Sequence, residues 1–524
     1  MYQNHKYKAS KDHRNMQSHM GESKETRVND PSSSSSSSLC LCFMGSSAAD
    51  KFSDEPITPI GGFFLQPQMD QIIHCTMGFK NPIDIAAIKS HLKTSLLLSH
   101  PRFSSLMVRG SRGLKQWHRT SHVDLDRHII VVPNTITTAS NFNHEATVNA
   151  YLADLSTSSG LSAEKPLWEF HLLMAHNCGV FRIHHALGDG ASLMSLFSES
   201  FRGAEEEEKL PALGSAVKKR NRVNGEKGWW VLLIGFVGMV WFSLIFVVEF
   251  ALRSLWVCDR RTEISGGDGV ELWPRKLATA RFKLQDMKLV KKAVSNATIN
   301  DVLVGVVSAG LSRYLDHRTP NGLPEGLRIT GIAMANLREQ PRLQELTDLM
   351  KSNSGSSWGN KFSTFLLPIY YKKSSGTEPL EYLRRAKVIM DRKKQSLEAL
   401  FSYKIGCFLM TYLGAKIATW LLYRTVCNTS FAISNILGPQ EEIAVGGNPV
   451  TYLRVNTSSL PHGMKVFADS YMQALTMHMV SYVERADMQI SVAKDIIPDP
   501  EFLAKCFEEA LLDMKEAAHC ETND

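Results

Sequence analysis

The chain has 524 residues, is 44% hydrophobic and carries a formal charge of +7. That length exceeds what one compact core usually organises and predicts two domains, or one domain of two halves. The modest positive charge suits an anionic membrane surface or a phosphate-bearing substrate. No dense Lys/Arg run is interleaved with aromatics, which argues against nucleic acid as a partner.

Residues 1–55 read as a disordered extension, mostly polar, in which "LCLCFM" is too short an apolar run for a secretory signal. Met44 is a second candidate start, although "MGSSAA" lacks the hydroxyl residue that a myristoylation signal carries at its sixth position. The nine cysteines include a lone C-x-C (Cys40 and Cys42) and are otherwise scattered. No metal or disulfide framework is expected, and the pattern fits reduced thiols facing the cytosol.

Structured sequence is expected from Pro56. "HCTMGF" and "HIIVVP" predict strands, and "DIAAIKSHLKTSLLLSHP" predicts a helix ending at a proline. "EATVNAYLADLSTS" predicts another helix, followed by strands in "LWEFHLLM" and "CGVFRIHH". Residues 56–201 thus form a first α/β half, and 202–228 a polar linker. Residues 229–248, "WWVLLIGFVGMVWFSLIFVV", carry no charge. As a helix they are about 30 Å long, the thickness of a bilayer core. With Trp256 as a second interfacial anchor, residues 229–257 are expected to insert into a membrane.

A second α/β half is expected over 273–515. It holds two helices separated by a turn at residues 296–300, a strand in "RITGIAMANL", and one long amphipathic helix from "PLEYLRRAK" to "EALF". "GCFLMTYLGAKIATWLLY" is apolar but interrupted by Lys416, and is expected in the core or on a membrane surface, not across it. Strands in "FAISNIL" and "MHMVSYVERADMQISVAKD" precede a final helix after "IPDP".

The chemistry concentrates in "RIHHALGDG", residues 182–190. Three readings compete: a metal site, the base of an acyl transfer, or a corner whose polar residues satisfy one another. Strand alternation puts His185 on the face of Phe181 and Ile183, and His184 on the face of Val180 and Arg182. Adjacent histidines facing opposite ways cannot easily grip one metal. Asp189 stands where a capping or turn-holding carboxylate belongs. An imidazole is the usual group for taking a proton from an alcohol at neutral pH, yet a histidine on an apolar face is often simply a core residue.

"HHALGDG" resembles the HHxxxDG motif of the acyl-CoA-dependent acyltransferase superfamily, and its surroundings resemble the plant-type wax ester synthase/diacylglycerol acyltransferase branch. "HPRFSS", "KPLWEFHLL", "INDVLVGVVSAGLSRYL", "NLR", "WGN", "PLEYLRRAK", "SNILGP" and "IPDP" recur in matching order over about residues 56–500. The resemblance implies two similar chloramphenicol-acetyltransferase-like halves around a shared tunnel, with the membrane helix between them. It implies His185 as general base, Asp189 as the carboxylate holding the loop, His184 as loop support and Gly190 as a turn residue. Asn300 and Asn435 become channel-lining candidates. No covalent acyl-enzyme is required, and a backbone N–H at the start of the helix after Gly190 is a candidate oxyanion donor. The substrates implied are fatty acyl-CoA as co-substrate and a long-chain fatty alcohol or diacylglycerol, with membrane lipid as partner, no cofactor and no metal.

Three rivals remain. His184 and Asp189 also fit H-x4-D of glycerolipid acyltransferases, with "LPEGLR" (residues 323–328) a faint match to that family's phosphate-binding block. "GSSWG" (residues 355–359) fits G-x-S-x-G but lacks the strand before and helix after that a nucleophile elbow needs. A non-catalytic membrane-associated protein retaining the fold is the third. A single membrane crossing between the halves would separate them. The apolar segment should therefore dip and return, lie in one leaflet, or be paired with a second crossing. Both halves are then expected on the cytosolic face of the endoplasmic reticulum membrane, with basic residues on both flanks, Lys218 and Arg220 before and Arg253 and Arg260 after.

Overall fold

The computed structural model describes residues 55–523 apart from 68, 111–114, 134–142, 159, 202–228, 267–269, 271–272, 339–357, 375 and 460–472. The expected N-terminal extension (Glu55 aside), the polar linker and Ser357 of "GSSWG" lie outside the described residues. In chain order the first part holds β1 (Glu55–Pro56), α1 (Pro59–Phe64), β2 (Ile72–Phe79), α2 (Ile85–Thr94), α3 (Leu96–Ser99), β3 (Ser105–Arg109) and β4 (Lys115–Arg119). It continues with β5 (Ile129–Val132), α4 (His144–Thr157), β6 (Trp168–Leu173), β7 (Cys178–His184), α5 (Gly190–Ser200) and α6 (Trp229–Leu255). The second part holds β8 (Arg275–Lys283), α7 (Leu284–Ala293), α8 (Ile299–Arg318), β9 (Arg328–Asn336), β10 (Phe362–Tyr370), α9 (Pro379–Gln395), α10 (Glu398–Phe408) and α11 (Gly414–Cys427). Then come β11 (Phe431–Leu437), β12 (Ala444–Val445), β13 (Asn448–Thr457), β14 (Leu475–Tyr482), β15 (Arg485–Ala493) and α12 (Pro500–Asn523).

Two six-stranded mixed sheets carry the fold, in the orders β12-β13-β2-β7-β6-β5 and β10-β9-β11-β14-β15-β8. This is the two-half α/β architecture expected. The first sheet is nevertheless not built from one stretch of chain. β13 crosses over from the second part and runs antiparallel to β2, Arg454 opposite Thr76. The stretch 56–201 supplies four of that sheet's six strands. Such an exchange ties the halves together through backbone hydrogen bonds.

Local chemistry explains two breaks in helices expected to be continuous. The helix after Asp84 starts because that carboxylate accepts from the Ala86 and Ala87 N–H groups. It stops at Ser95, which is extended and turns its hydroxyl back onto the Leu92 carbonyl. The long helix from Pro379 breaks in the same way at Ser396, whose hydroxyl takes the Lys393 carbonyl. The α7–α8 turn falls where expected. α8 begins with a reciprocal cap between Thr298 and Asp301, after Asn296 in the left-handed region.

The first core gathers on Phe170 and Phe181, stacked at 3.8 Å, with Phe197 of α5 and Phe201 just after it against them. The second forms where α8 lies on α12, with Gly310 letting Phe507 approach its backbone. Both cores pack the sheets so that the end of β7 faces the segment entering β10.

Candidate active site

β7 pairs with β2 up to His184, opposite Ile72, and then ends. The His184 ring is engaged at both nitrogens. Nδ1 accepts from the Ala186 N–H at 3.0 Å, which leaves Nε2–H to donate to the Asp70 carboxylate at 2.7 Å. His184 therefore braces the turn and has no lone pair to spare for a substrate proton.

His185 is the first residue of the turn. Its N–H donates to the Gln71 carbonyl at 2.8 Å, and its ring stacks on Phe64 at 3.9 Å with an interplanar angle of 11°. Phe362 lies 5.9 Å away on the other half. The Asn360 side chain decides the tautomer. Its Nδ2 donates to the His185 carbonyl at 2.8 Å, so its Oδ1 must be the atom that meets His185 Nδ1 at 3.1 Å. An amide oxygen can only accept, so Nδ1 carries the proton and Nε2 presents a lone pair. Burial lowers the ring pKa to about 4, against smaller raising effects from its own backbone and Asp189. The imidazole is neutral at pH 7, as a proton acceptor has to be.

Asp189 caps α5 through the Ser192 N–H at 3.0 Å. Its other oxygen accepts from Arg338 at 2.7 Å and from the Lys361 N–H at 2.8 Å. It is buried, and so is the guanidinium it faces. The carboxylate therefore holds the loop and ties it to the second half. Gly190 departs from the expected reason: its φ is not positive, and it opens α5 instead of closing a turn. What glycine provides is close approach, since a Cβ there would sit 2.9 Å from Ile436 Cδ1 on β11.

The segment 358–361 laces this loop from the opposite half. Besides Asn360 and Lys361, Trp358 Nε1 donates to the Leu187 carbonyl at 2.8 Å, and the Ser192 hydroxyl donates to the Gly359 carbonyl at 3.2 Å. Gly359 has φ +109°, a conformation that favours glycine. His478 of β14 is a further imidazole, this one buried, its Nδ1 paired with the Ser434 hydroxyl at 2.7 Å. Its pKa is lowered to about 4 by burial and then by the nearby His185.

Asn300 and Asn435 are brought to each other, amide to amide, at 2.6 Å. Both are exposed, on an open face one residue away from buried Ser434 and from the Ile436 that presses on Gly190. Sequence reasoning missed Phe64, Asp70, Arg338, Trp358, Asn360 and His478. The signals for three of these were the short runs "NLR" and "WGN", which carried a resemblance but no assigned roles. Phe64, Asp70 and His478 left no local signal, because pairing across elements brings them in.

The H-x4-D dyad is not formed. His184 turns to Asp70, and Asp189 is committed to Ser192, Arg338 and Lys361. Arg328 of "LPEGLR" pairs with Glu249 on α6, away from the histidines.

Comparison with known proteins gives the family. The wax ester synthase/diacylglycerol acyltransferase catalytic domain matches residues 95–303, and the C-terminal domain of the same family matches 358–515. Wax ester synthase/diacylglycerol acyltransferase 11 of Arabidopsis thaliana is 34% identical, covering 90% of this chain and 96% of that protein. Wax ester synthase/diacylglycerol acyltransferase 5 of the same plant is 33% identical, covering 88% and 93%. The solved wax ester synthase/diacylglycerol acyltransferase from Marinobacter aquaeolei VT8 shares the fold with a TM-score of 0.53 at 16% identity, covering 88% of this chain and all of that one. With a relative at 34% identity aligned along nine-tenths of its length, the chain belongs to the wax ester synthase/diacylglycerol acyltransferase family.

Proposed function

We propose that the chain transfers a fatty acyl group from acyl-CoA to a long-chain alcohol, giving a wax ester, with diacylglycerol as a second acceptor. The observation that carries the mechanism is the forced orientation of Asn360, which leaves His185 Nε2 as a bare lone pair at the junction of the halves. The alcohol oxygen attacks the thioester carbonyl while Nε2 takes its proton. The tetrahedral intermediate then collapses, the C–S bond breaks, and the imidazolium returns the proton to the departing thiolate. A charged intermediate needs donors; since the Ser192 N–H already serves Asp189, the first N–H groups of α5 are the candidates. Asp189, His184 and Gly190 act as supports, and Asn300 with Asn435 would border the substrate entrance. The acyl-CoA is a co-substrate, and no cofactor is called for.

The membrane reading rests on two apolar stretches, Leu233–Leu255 and Glu398–Cys427. Along residues 229–242 the side chains of Trp229, Trp230, Leu233, Ile234, Phe236, Val237 and Trp241 are exposed. From Ser243 onward one face of α6 docks on the body, with Phe246, Arg253 and Ser254 buried, while Leu244, Ile245, Val247, Val248 and Leu252 stay exposed. The second stretch, 30 residues, would be about 45 Å as a straight helix. Its ends are instead tied to α6 ten residues apart, about 15 Å: the Leu397 N–H donates to Ser243 and Arg253 donates to the Asn428 carbonyl. The stretch bends back through a π-helical turn, Leu409–Leu413, and Gly414 at φ +81°. The bend supports insertion into one leaflet, with residues 229–257 as the anchor; both acyltransferase halves then lie on one side of the membrane, which we assign as the cytosolic side of the endoplasmic reticulum.

Wild-type protein in lipid vesicles should esterify a fatty alcohol and diacylglycerol when given acyl-CoA. His185→Ala should lose roughly 100-fold or more in kcat. Equal activity of the two proteins would overturn the mechanism. A glycosylation tag at the C-terminus that becomes glycosylated in the lumen would overturn the topology.

A further inference from the structure

We infer that the apolar acceptor reaches His185 from the membrane through the seam between α1 and the bent stretch α10–Leu409–Leu413. This rests on the acyltransferase reading and names the route by which its acceptor arrives. On its outer side the seam opens at Phe408, Tyr412 and Leu413, all exposed. On its inner side it ends at Phe64, the last residue of α1, whose ring lies on the His185 imidazole. α1 thus forms the wall between the lipid-facing bend and the reacting nitrogen.

The wall is thin and held by dispersion. A Cβ on Gly62 would lie 3.8 Å from Met410 Cε, and one on Gly406 would lie 3.5 Å from Ile60 Cδ1. Glycines therefore face the seam from both sides. Among the described residues no hydrogen bond joins α1 to residues 398–413. The helix is held instead near its start, by the Thr58 cap on the Gly61 N–H beside the Ala186 carbonyl, and at its end by Phe64 stacked on His185. Parting such a seam costs only apolar contact, and an alkyl chain restores the same kind of contact. The contacts that close the seam, Met410 over Gly62 and Ile60 over Gly406, are apolar, so the seam favours hydrocarbon over a charged headgroup.

The test uses the full chain in phosphatidylcholine vesicles with one acyl-CoA and either hexadecanol, which resides in the bilayer, or hexanol, which reaches the site from water. Gly62→Leu, and separately Gly406→Leu, should lower kcat/KM for hexadecanol by roughly tenfold or more, as a blocked apolar passage would. Hexanol turnover should stay within about twofold, which also reports an intact fold. Met410→Ala, which widens the seam, should leave hexadecanol turnover at least as high as in the wild type. Unchanged hexadecanol kinetics in both leucine variants, or parallel loss with both alcohols in both, overturns the route. Absence of ester from the wild type with either alcohol sinks the acyltransferase reading instead.

Discussion

At the residue scale the two histidines of one motif are separated by what each nitrogen touches. His184 spends both nitrogens on Ala186 and Asp70, whereas His185 spends one, on Asn360. Asn360 is a positioning residue, because its amide can be satisfied in only one orientation. Replacing it with aspartate keeps an acceptor at Nδ1 but adds a negative charge and removes the donor to the His185 carbonyl. A carboxylate beside the ring favours the imidazolium, so the ring pKa rises from about 4. The acid limb of kcat/KM should then move to higher pH in Asn360→Asp, whereas the wild type should stay active well below 6.5. Asn360→Ala should lower kcat roughly 10- to 100-fold by freeing the tautomer, with KM for acyl-CoA little changed. A variant whose pH profile overlays the wild type would refute the positioning role.

At the element scale, the catalytic turn is held by the start of α5 and by chain from the other half. The Asp189–Arg338 pair is the main tie, and removing one member strands a buried charge. Asp189→Ala should cost about 3–5 kcal/mol of stability, read as a lower denaturant midpoint. Gly190→Ala forces a contact with Ile436 Cδ1, an overpacking cost of about 1–3 kcal/mol. Ile436→Val deletes that atom, so the double variant should recover most of the loss, a coupling that additive costs would contradict. These ties also show what was legible beforehand. Strands β2, β5, β6, β7, β9, β11, β14 and β15, most helices and the capping role of Asp189 follow from periodicity and capping chemistry, and a known motif singles out His185; β1, β3, β4, β8, β12 and β13 do not stand out. The exchange of β13 into the first sheet does not follow either, because antiparallel pairing across almost 400 residues leaves no local periodicity. Asn360 and Arg338 stayed unassigned for the same reason: their partners belong to the opposite half. Two helices were read as unbroken since the serines that end them, Ser95 and Ser396, are also tolerated inside helices.

At the scale of the whole molecule, five histidines, four buried and His185 half-buried, make the fold sensitive to acid. Burial lowers the pKa of His74 and His100 to about 3, and of His128, His185 and His478 to about 4. Unfolded, each titrates near 6.5. Below about 6.5 the unfolded chain binds protons that the folded chain refuses, so unfolding gains on folding as pH drops toward 4. The stability due to keeping these rings neutral is complete above 6.5 and is lost progressively below it. His74 isolates the effect: it is fully buried on β2 beside Arg182, and neither ring nitrogen has a partner among the described residues. His74→Leu removes a polar group that burial penalises while nearly keeping its volume. At pH 5 the wild-type ring costs about 2 kcal/mol that it does not cost at pH 7.5, from the roughly 1.4 kcal/mol carried by each pH unit below 6.5. The melting temperature of His74→Leu should therefore exceed that of the wild type, by a margin that widens as pH falls from 7.5 to 5. A margin that is constant across that range would mean that the imidazole is protonated inside the fold after all.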